Sequence, residues 1–421
     1  MKTFKQGIHP HDFKEKTEHL PIKKSQPPQK VVIPLSQHLG APCEPLVKAG
    51  DEVKLGQKIG DSKSKISAPV HASVSGKVMS VDNAIVIQSD AQNTPDPSMK
   101  PHGELNSLSA EKIRSIVREA GIVGMGGAAF PTAFKISPPA DKPIDTVIIN
   151  GCECEPYITA DHRMMLEMPD EIVAGAQAIQ KAVGARNLII GIEANKPDAI
   201  EVMRQKRVEV VRVKPKYPQG GEKLLIKAVL DREVPSGGLP LDVGVVVSNV
   251  ATAIAVNTAI RSGLPLIERV LTVTGNGVKQ PQNLLVRIGT TFADVISQCE
   301  GLTEDAAKVI MGGPMMGVTQ DTLDVPVVKA TSSILVLTRS EAKEEKVYPC
   351  VKCGRCVDHC PMFLVPTRLA SYAEHDVNDE FDDWGGMDCI ECGSCSYVCP
   401  ANIPLVHWIK YGKMKMRQSA K

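Results

Sequence analysis

At 421 residues the chain is long enough for about three domains, taking roughly 150 residues as a loose guide to each, and its core can be substantial. Its 49 Lys and Arg against 48 Asp and Glu leave a net charge of +1, which excludes a general attraction to nucleic acid or anionic lipid, so any charged contact is local. No apolar run reaches the roughly 20 residues that span a bilayer; residues 243–256 come nearest and contain Ser248, Asn249 and Thr252.

Residues 1–29 are rich in Lys, His, Pro and Gln without a period, which predicts an extended arm that packs on other parts of the molecule and has no fold of its own. Lys2, Lys5 and the His9-Pro10-His11 cluster are not followed by the apolar segment of a signal peptide, so a chain on the cytosolic side is expected. Over 30–90 the pattern changes to short strands and turns: Val31-Val32-Ile33-Pro34-Leu35 is followed by apolar alternation on both sides of Gly50-Asp51. With Ile66-Ser67-Ala68-Pro69-Val70 added, this stretch resembles the flattened barrel of biotinyl and lipoyl carrier domains, a barrel-sandwich hybrid. The modified lysine of a carrier stands a few residues before such an Ala68-Pro69 pair. Lys63 and Lys65 lie near that place, but neither has the Met-Lys-Met context of a biotin acceptor, and the barrel is read as structural.

Residues 91–107 are polar and proline-bearing, a linker by composition. An α/β region is expected over 108–263. Ser109-x-x-Lys112 opens a helix with Ile113, Ile116 and Val117 spaced for one buried face. After Ala120-Gly121 comes the run Gly124-Met125-Gly126-Gly127-Ala128-Ala129-Phe130-Pro131-Thr132-Ala133-Phe134-Lys135. Glycines let backbone amides approach a phosphate or ring closely, and Lys135 adds positive charge, although no strand precedes the run as a dinucleotide fingerprint requires. Thr146-Val147-Ile148-Ile149 reads as a buried strand ending at Asn150-Gly151-Cys152-Glu153-Cys154-Glu155-Pro156, a polar cluster where open α/β sheets place ligands. Helices over 171–183 and 197–205 alternate with strands over 187–191 and 208–213, the pattern of a parallel sheet. Tyr217-Pro218-Gln219-Gly220-Gly221-Glu222-Lys223 leads into another helix. The strand over 243–247 ends in Ser248-Asn249-Val250-Ala251-Thr252, again polar at its carboxyl end.

A smaller unit is expected over 264–338, with strands at 268–274 and 283–288, a helix at 291–299, then the stretch 307–311 running into Gly312-Gly313-Pro314 and a closing strand at 333–337. Met311, Met315 and Met316 flank its glycines and read as packing residues. Residues 339–348, with the charged run 341–346, form a solvated linker.

The most specific signal lies at 349–405, where Cys350-x2-Cys353-x2-Cys356-x3-Cys360-Pro361 is repeated as Cys389-x2-Cys392-x2-Cys395-x3-Cys399-Pro400. Three cysteines at this spacing point their sulfurs at one centre, and in two-cluster ferredoxins the fourth ligand comes from the other run. Cys350, Cys353, Cys356 and Cys399 are therefore assigned to one 4Fe-4S cluster, and Cys389, Cys392, Cys395 and Cys360 to the second. Structural zinc favours four-ligand sites without the extra C-x3-C-P, and a disulfide framework needs an oxidising compartment. Cys43, Cys152, Cys154 and Cys299 show no pattern that demands disulfides; Cys152 and Cys154 read as small buried residues, with a redox or metal pair as the sharper alternative. Residues 406–421 read as a terminal helix whose Lys413, Lys415, Arg417 and Lys421 make a cationic face, hydrated or turned to a more acidic partner.

The segments 124–135, 150–156, 217–222 and 249–252 resemble, in the same order, the four elements with which the NADH-binding flavoprotein subunit of respiratory complex I holds FMN and nicotinamide. That resemblance implies a Rossmann-like domain in which Gly124, Gly126, Gly127 and Lys135 line flavin and nucleotide, with Phe130 stacking on adenine. It also implies that Asn150, Tyr217, Gly220, Glu222 and Asn249 contact FMN and that Glu153 and Glu155 face the nicotinamide nucleotide. The sequence departs from the pattern at Cys152, where an acid is expected, and at Gly221, where a glutamate is. The unit at 264–338 resembles the β-grasp, soluble-ligand-binding module that follows the flavin domain in that family. With Gly7-Ile8-His9-Pro10 and Ile33-Pro34-Leu35-Ser36-Gln37-His38 added, nearly the whole chain resembles the C subunits of Rnf-type electron-transport complexes.

Together these readings give a multidomain α/β and α+β protein holding non-covalent FMN, NAD(H) and two 4Fe-4S clusters. The resemblance implies hydride exchange between NAD(H) and FMN, single-electron exchange with the clusters, other subunits of a membrane-bound complex as partners, ferredoxin as an indirect one, and coupling to Na+ or H+ movement. Hydride transfer requires no acid or base, so no catalytic side chain is assigned. A soluble flavin and iron–sulfur reductase such as a cobalamin reductase, an iron–sulfur carrier without a nucleotide site, and a carrier domain modified at Lys63 or Lys65 are the alternatives.

Overall fold

A computed structural model describes residues 1–343 and 345–419, Ser419 by its backbone only; Glu344 of the expected linker and Lys421 of the expected cationic face lie outside the described residues. The first strand, β1 (Ile22–Lys24), belongs to a sheet completed far down the chain. The barrel follows: β2 (Lys30–Pro34), β3 (Glu44–Pro45), β4 (Glu52–Val53), β5 (Lys58–Asp61), β6 (Val70–His71), β7 (Gly76–Val81) and β8 (Ala84–Ser89). They form two sheets, ordered β2-β8-β7-β4 and β3-β5-β6. Alternation decides which side faces in: Val31 lies opposite Ile87 and Ile33 opposite Ile85, and all four are fully buried in one cluster. Lys63 and Lys65 are exposed on the β5–β6 connection.

In the flavin-like region the elements are α1 (Ala110–Glu119), α2 (Thr132–Lys135), β9 (Thr146–Gly151), α3 (Ala160–Glu167), α4 (Pro169–Val183), β10 (Asn187–Glu193), α5 (Pro197–Gln205), β11 (Glu209–Val213), α6 (Glu222–Leu230), β12 (Val245–Asn249) and α7 (Val250–Ser262). Helix starts follow local chemistry: the Ser109 side chain accepts from Lys112 N at α1, and Pro169 opens α4. The sheet is parallel with order β11-β10-β9-β12. Both faces are covered. Val147, Ile149, Ile190, Ile192 and Val246 join the core formed with α4 and α7, while Ile148, Ile189, Val245 and Val247 join the core under α6. This double burial is why the strands read as continuous apolar runs.

The next unit consists of β13 (Glu268–Thr274), β14 (Gln282–Arg287), α8 (Phe292–Ser297), β15 (Ala306–Met311), β16 (Val318–Gln320) and β17 (Ser333–Thr338), in a sheet ordered β1-β14-β13-β17-β15-β16. The cysteine-rich part contributes α9 (Arg355–Asp358), α10 (Pro366–Glu374), α11 (Asn378–Asp383), α12 (Ser394–Tyr397) and α13 (Leu405–Ser419). Leu369, Ala373, Phe381 and Ile409 close a core between α10, α11 and α13.

The arm at 1–29 adds no core of its own but edges two sheets. Ile22 to Lys24 pair in parallel with Asn283 to Leu285, Lys2 bridges to Val213, and Ile8 to Tyr217. Gly7 N reaches His359 O at 3.2 Å in the cysteine-rich part. Among the described residues no helix is long and apolar enough to cross a membrane.

Candidate functional site

The two cysteine runs fold as near copies of one another. Lys352 (φ 57°) and Gly354 (φ 77°) turn the first, Glu391 (φ 58°) and Gly393 (φ 79°) the second, and each Gly precedes a one-turn helix, α9 or α12. The left-handed backbone curls each loop over its own sulfurs, so that Lys352 N lies 3.4 Å from Cys350 Sγ and Glu391 N 3.4 Å from Cys389 Sγ. Cys350, Cys353 and Cys356 line one cavity of about 600 Å³ together with Cys399 from the other run. Cys389, Cys392 and Cys395 line a second, tighter one together with Cys360. The chain thus crosses between the cavities at its fourth cysteines. Among the described residues no group of three or more His, Cys, Asp or Glu is gathered tightly enough for a single ion, whereas a ring of sulfurs around a cavity fits a polynuclear cluster.

The second site forms where β9 and β12 lie side by side. Counting from β9, the strand order 3-2-1-4 has its switch point there, the crevice in which doubly wound sheets bind ligands. Asn150 and Asn249 are register partners at the carboxyl ends of these strands. Asn150 Nδ2 donates to Gly220 O at 2.8 Å, and Asn249 Oδ1 caps α7 by accepting from Ala251 N at 2.8 Å. The Gly-rich loop crosses beside Asn249. A Cβ on Gly126 would stand 2.8 Å from Asn249 Nδ2, while at Gly127 it would meet open space, so the backbone approaches protein at one glycine and is free to approach a ligand at the next. Met125 N donates to Thr252 Oγ1 at 3.0 Å, and Lys135 and Glu222 form an ion pair. Phe130 packs edge-on against Phe134 at 5.6 Å between centroids. Gly124, Gly126, Gly127, Lys135, Asn150, Gly220, Glu222 and Asn249 are thereby brought to one crevice.

Three expected contact residues are turned elsewhere. Glu153 accepts from Asp161 N (2.6 Å) and His162 N (3.2 Å) at the start of α3, a favourable place for a carboxylate. Glu155 accepts from Met315 N (3.2 Å) and Met316 N (2.8 Å), joining the β9 loop to the β-grasp unit. The Tyr217 hydroxyl is fully buried and donates to Cys392 O at 2.7 Å, so it serves the cysteine-rich part, while its backbone N and O pair with Ile8 of the arm at 2.9 Å each. Tyr217 lies with Ile8, Cys154, Met315 and Cys392 in one apolar seam between crevice and second cavity.

Beneath the β9 loop is a set of buried charges that sequence patterns do not announce. Lys14 Nζ, from the arm, donates to Glu153 O (3.1 Å), Glu155 O (3.0 Å) and Ile158 O. Lys196 Nζ donates to Cys152 O at 2.7 Å and pairs with Glu193 at 3.5 Å. Asp161 accepts from Asn249 Nδ2 at 2.6 Å. Burial pushes the Glu155 carboxyl up to about 7, against the pull of the Met315 and Met316 amides. Burial also raises Glu153, with Lys14 opposing, and it raises the Cys152 thiol. Cys152 and Cys154 are unpaired; Cys154 Sγ accepts from Gly220 N at 3.3 Å. The expected cationic face of α13 is also corrected. Lys413 is buried, with Nζ donating to Cys389 O (2.6 Å) and paired with Glu391 (2.8 Å), and Lys415 pairs with Asp376 at 3.0 Å.

Comparison with known proteins agrees with this layout. An RnfC barrel sandwich hybrid domain matches residues 2–94, a Nuo51 FMN-binding domain 117–258, an SLBB domain 270–319 and a 4Fe-4S dicluster domain 346–403. Fold and sites therefore define a modular flavin and iron–sulfur electron-transfer protein. The C subunit of the Na(+)-translocating ferredoxin:NAD(+) oxidoreductase complex of Acetobacterium woodii is 48% identical, covering 98% of this chain and 97% of the relative. The proton-translocating counterpart of Clostridium ljungdahlii is 46% identical, over 99% and 94%. The C subunit of the ion-translocating oxidoreductase complex of Rhodobacter capsulatus is 41% identical, over 99% and 84%. The chain belongs to this family, the C subunits of Rnf-type ion-translocating ferredoxin:NAD(+) oxidoreductase complexes.

Proposed function

We propose that this chain is the NAD(H)-reactive peripheral subunit of an Rnf-type complex at the cytoplasmic face of the membrane, with partner subunits linking electron exchange between ferredoxin and NAD(+) to Na+ or H+ movement. The observation that carries the reading is the apolar seam through Tyr217, which joins a crevice suited to a flavin to a cage suited to a cluster. FMN supplies the exchange of a two-electron hydride against single electrons when bound, and the 4Fe-4S clusters supply the single-electron steps.

Each protein group then has a positional task. Gly127 presents backbone to the flavin and its phosphate, Gly126 lets the loop pass close beside Asn249, and Asn150 and Asn249 fix the crevice floor through Gly220 and the start of α7. Lys135 and Glu222 set opposite charges at its edge. Phe130, with Phe134 against it, offers a ring for the nucleotide base. Glu153 and Glu155 act on the nucleotide side by shaping the β9 loop rather than by reaching into the crevice. Cys350, Cys353, Cys356 and Cys399 would hold one cluster, and Cys389, Cys392, Cys395 and Cys360 the other. Anaerobic titration of the reconstituted protein with NADH, followed by absorbance, tests this function. Bleaching of a dissociable FMN followed by cluster reduction is expected; clusters without flavin at saturating FMN would leave only an iron–sulfur carrier.

A further inference from the structure

Two buried lysines act on consecutive peptides of the β9 loop. Lys196 Nζ donates to Cys152 O at 2.7 Å and Lys14 Nζ to Glu153 O at 3.1 Å. The carbonyl and the N–H of a trans peptide point in opposite directions, so drawing these two carbonyls inward turns the amides of Glu153 and Cys154 outward. Neither amide donates to a described residue. Glu153 between them has a left-handed backbone, φ 51°, a form in which successive amides converge into a concavity for negative charge. The pair stands at the carboxyl end of β9 beside Gly220, whose N donates to Cys154 Sγ and whose O accepts from Asn150.

A non-glycine residue at positive φ is strained and persists only where its surroundings over-determine it. The arm supplies that constraint. Asp12 O accepts from Tyr157 N at 2.8 Å, and Phe13 stacks on the ring of Tyr157, the loop's second left-handed residue at φ 70°, with centroids 4.7 Å apart. Lys14 reaches Glu155 O and Ile158 O as well. The Glu153 carboxylate is committed to the start of α3, so its backbone is what this residue offers the crevice. Lys14 and Lys196 are only 3% and 1% exposed. Burying two ammonium groups is costly where apolar residues would hold a loop as stably, and their presence points to a task in which the direction of the carbonyls matters.

We propose that Lys14 and Lys196 are positioning residues of the flavin site: they set the Glu153 and Cys154 amides as paired donors to the electron-rich edge of the flavin ring and so favour its reduced form. A hydride brings two electrons and one proton and leaves the ring with one more negative charge, which donors fixed in advance stabilise without reorganisation. The inference rests on a flavin in this crevice, as in the proposed function, and its test reads potential and amide exchange rather than turnover with NADH.

The midpoint potential of bound FMN is measured on the full chain by anaerobic reduction with dithionite against a reference dye, in the parent, Lys14→Met, Lys196→Met, Lys14→Gln and Thr17→Val. Thr17→Val loosens the arm, where Thr17 bonds Thr159 at 2.8 Å, without touching the two carbonyls. Each Met variant is expected to weaken reduced FMN about tenfold more than oxidised FMN, which lowers the potential by about 30 mV for a two-electron couple. Lys14→Gln, which keeps a donor but no charge, is expected to fall between parent and Lys14→Met, and Thr17→Val to stay at the parent value. An unchanged potential in Lys14→Met, or an equal fall in Thr17→Val, overturns the proposal. So does Lys14→Gln matching Lys14→Met, which would make the charge of the lysine responsible and not the amides it aims. Hydrogen–deuterium exchange over 150–158 is expected to slow in the parent when FMN is added; no slowing overturns the proposal even if no Lys14 variant loads flavin. A chain that shows these shifts but whose FMN is not bleached by NADH would sink the proposed function and leave this inference standing.

Discussion

Glu155 shows how one side chain joins two domains at an electrostatic cost. Its carboxylate receives two amides of the 315–316 turn, yet burial lifts its proton affinity to about 7 from an ordinary value of 4.5. Between those two values the folded chain keeps a proton that the unfolded chain releases, so this group's contribution to stability falls as pH rises through the window. The apparent melting temperature is therefore expected to decline from pH 5 to pH 8 less steeply in Glu155→Gln than in the parent, as read by differential scanning fluorimetry. Parallel curves would show that the carboxyl titrates normally. Sequence alone marks Glu155 as polar and near a strand end but aims it at the nucleotide, because the turn that claims it lies some 160 residues away. Lys14 is hidden for the same reason: a lysine in an aperiodic arm carries no sign of the three carbonyls it binds.

Elements whose burial is one-sided or two-sided in a regular way are legible. The four parallel strands, α1 with its serine cap, and β13, β14 and β17 of the β-grasp unit follow from periodicity, while β16, three residues long, does not; the cluster cysteines follow from spacing that few other structures use. Helix α7 is not legible, because Val250–Ser262 is apolar nearly all round and has no polar face to set a period. Helix α3 is short, and its Asp161, which supports Asn249, is hidden with it. The close approach of the Gly-rich loop to the start of α7 gives an element-level prediction. Gly126→Ala places a methyl 2.8 Å from Asn249 Nδ2, disturbing a cap worth about 1 kcal/mol and the crevice floor with it. The dissociation constant for FMN, measured by fluorescence quenching, is expected to rise on the order of tenfold with a modest drop in melting temperature. Unchanged flavin affinity would remove this loop from the site.

For the molecule as a whole, the decisive question is how the flavin-like domain and the cluster domain stay in register. Tyr217 answers much of it with one hydrogen bond and one apolar contact set. Tyr217→Phe keeps the ring but leaves Cys392 O without its donor, a loss of about 1–3 kcal/mol when such a group is buried. Stopped-flow absorbance with NADH is expected to show flavin bleaching at the parent rate and cluster reduction slowed relative to it. If both phases keep their parent rates, the seam holds the domains together without influencing electron passage. The grouping of each cysteine run with the other's fourth cysteine around a cavity and the order of the matched domains are readable from the sequence; this joint is not, since it depends on which of two faces a single tyrosine presents.

The arm also fixes when this molecule can be finished. Its residues are made long before their partners: Ile8 waits for Tyr217, Ile22 for Asn283, and Gly7 for His359, more than 300 residues downstream. Contacts this distant along the chain form late and slowly, and segments awaiting partners expose surface during synthesis. The arm therefore stays unpaired until β11 and then β14 have been made, and its contact with the cysteine-rich part is made only once the first cysteine loop exists. Folding of the first cysteine loop and closure of the arm upon it are thereby tied together.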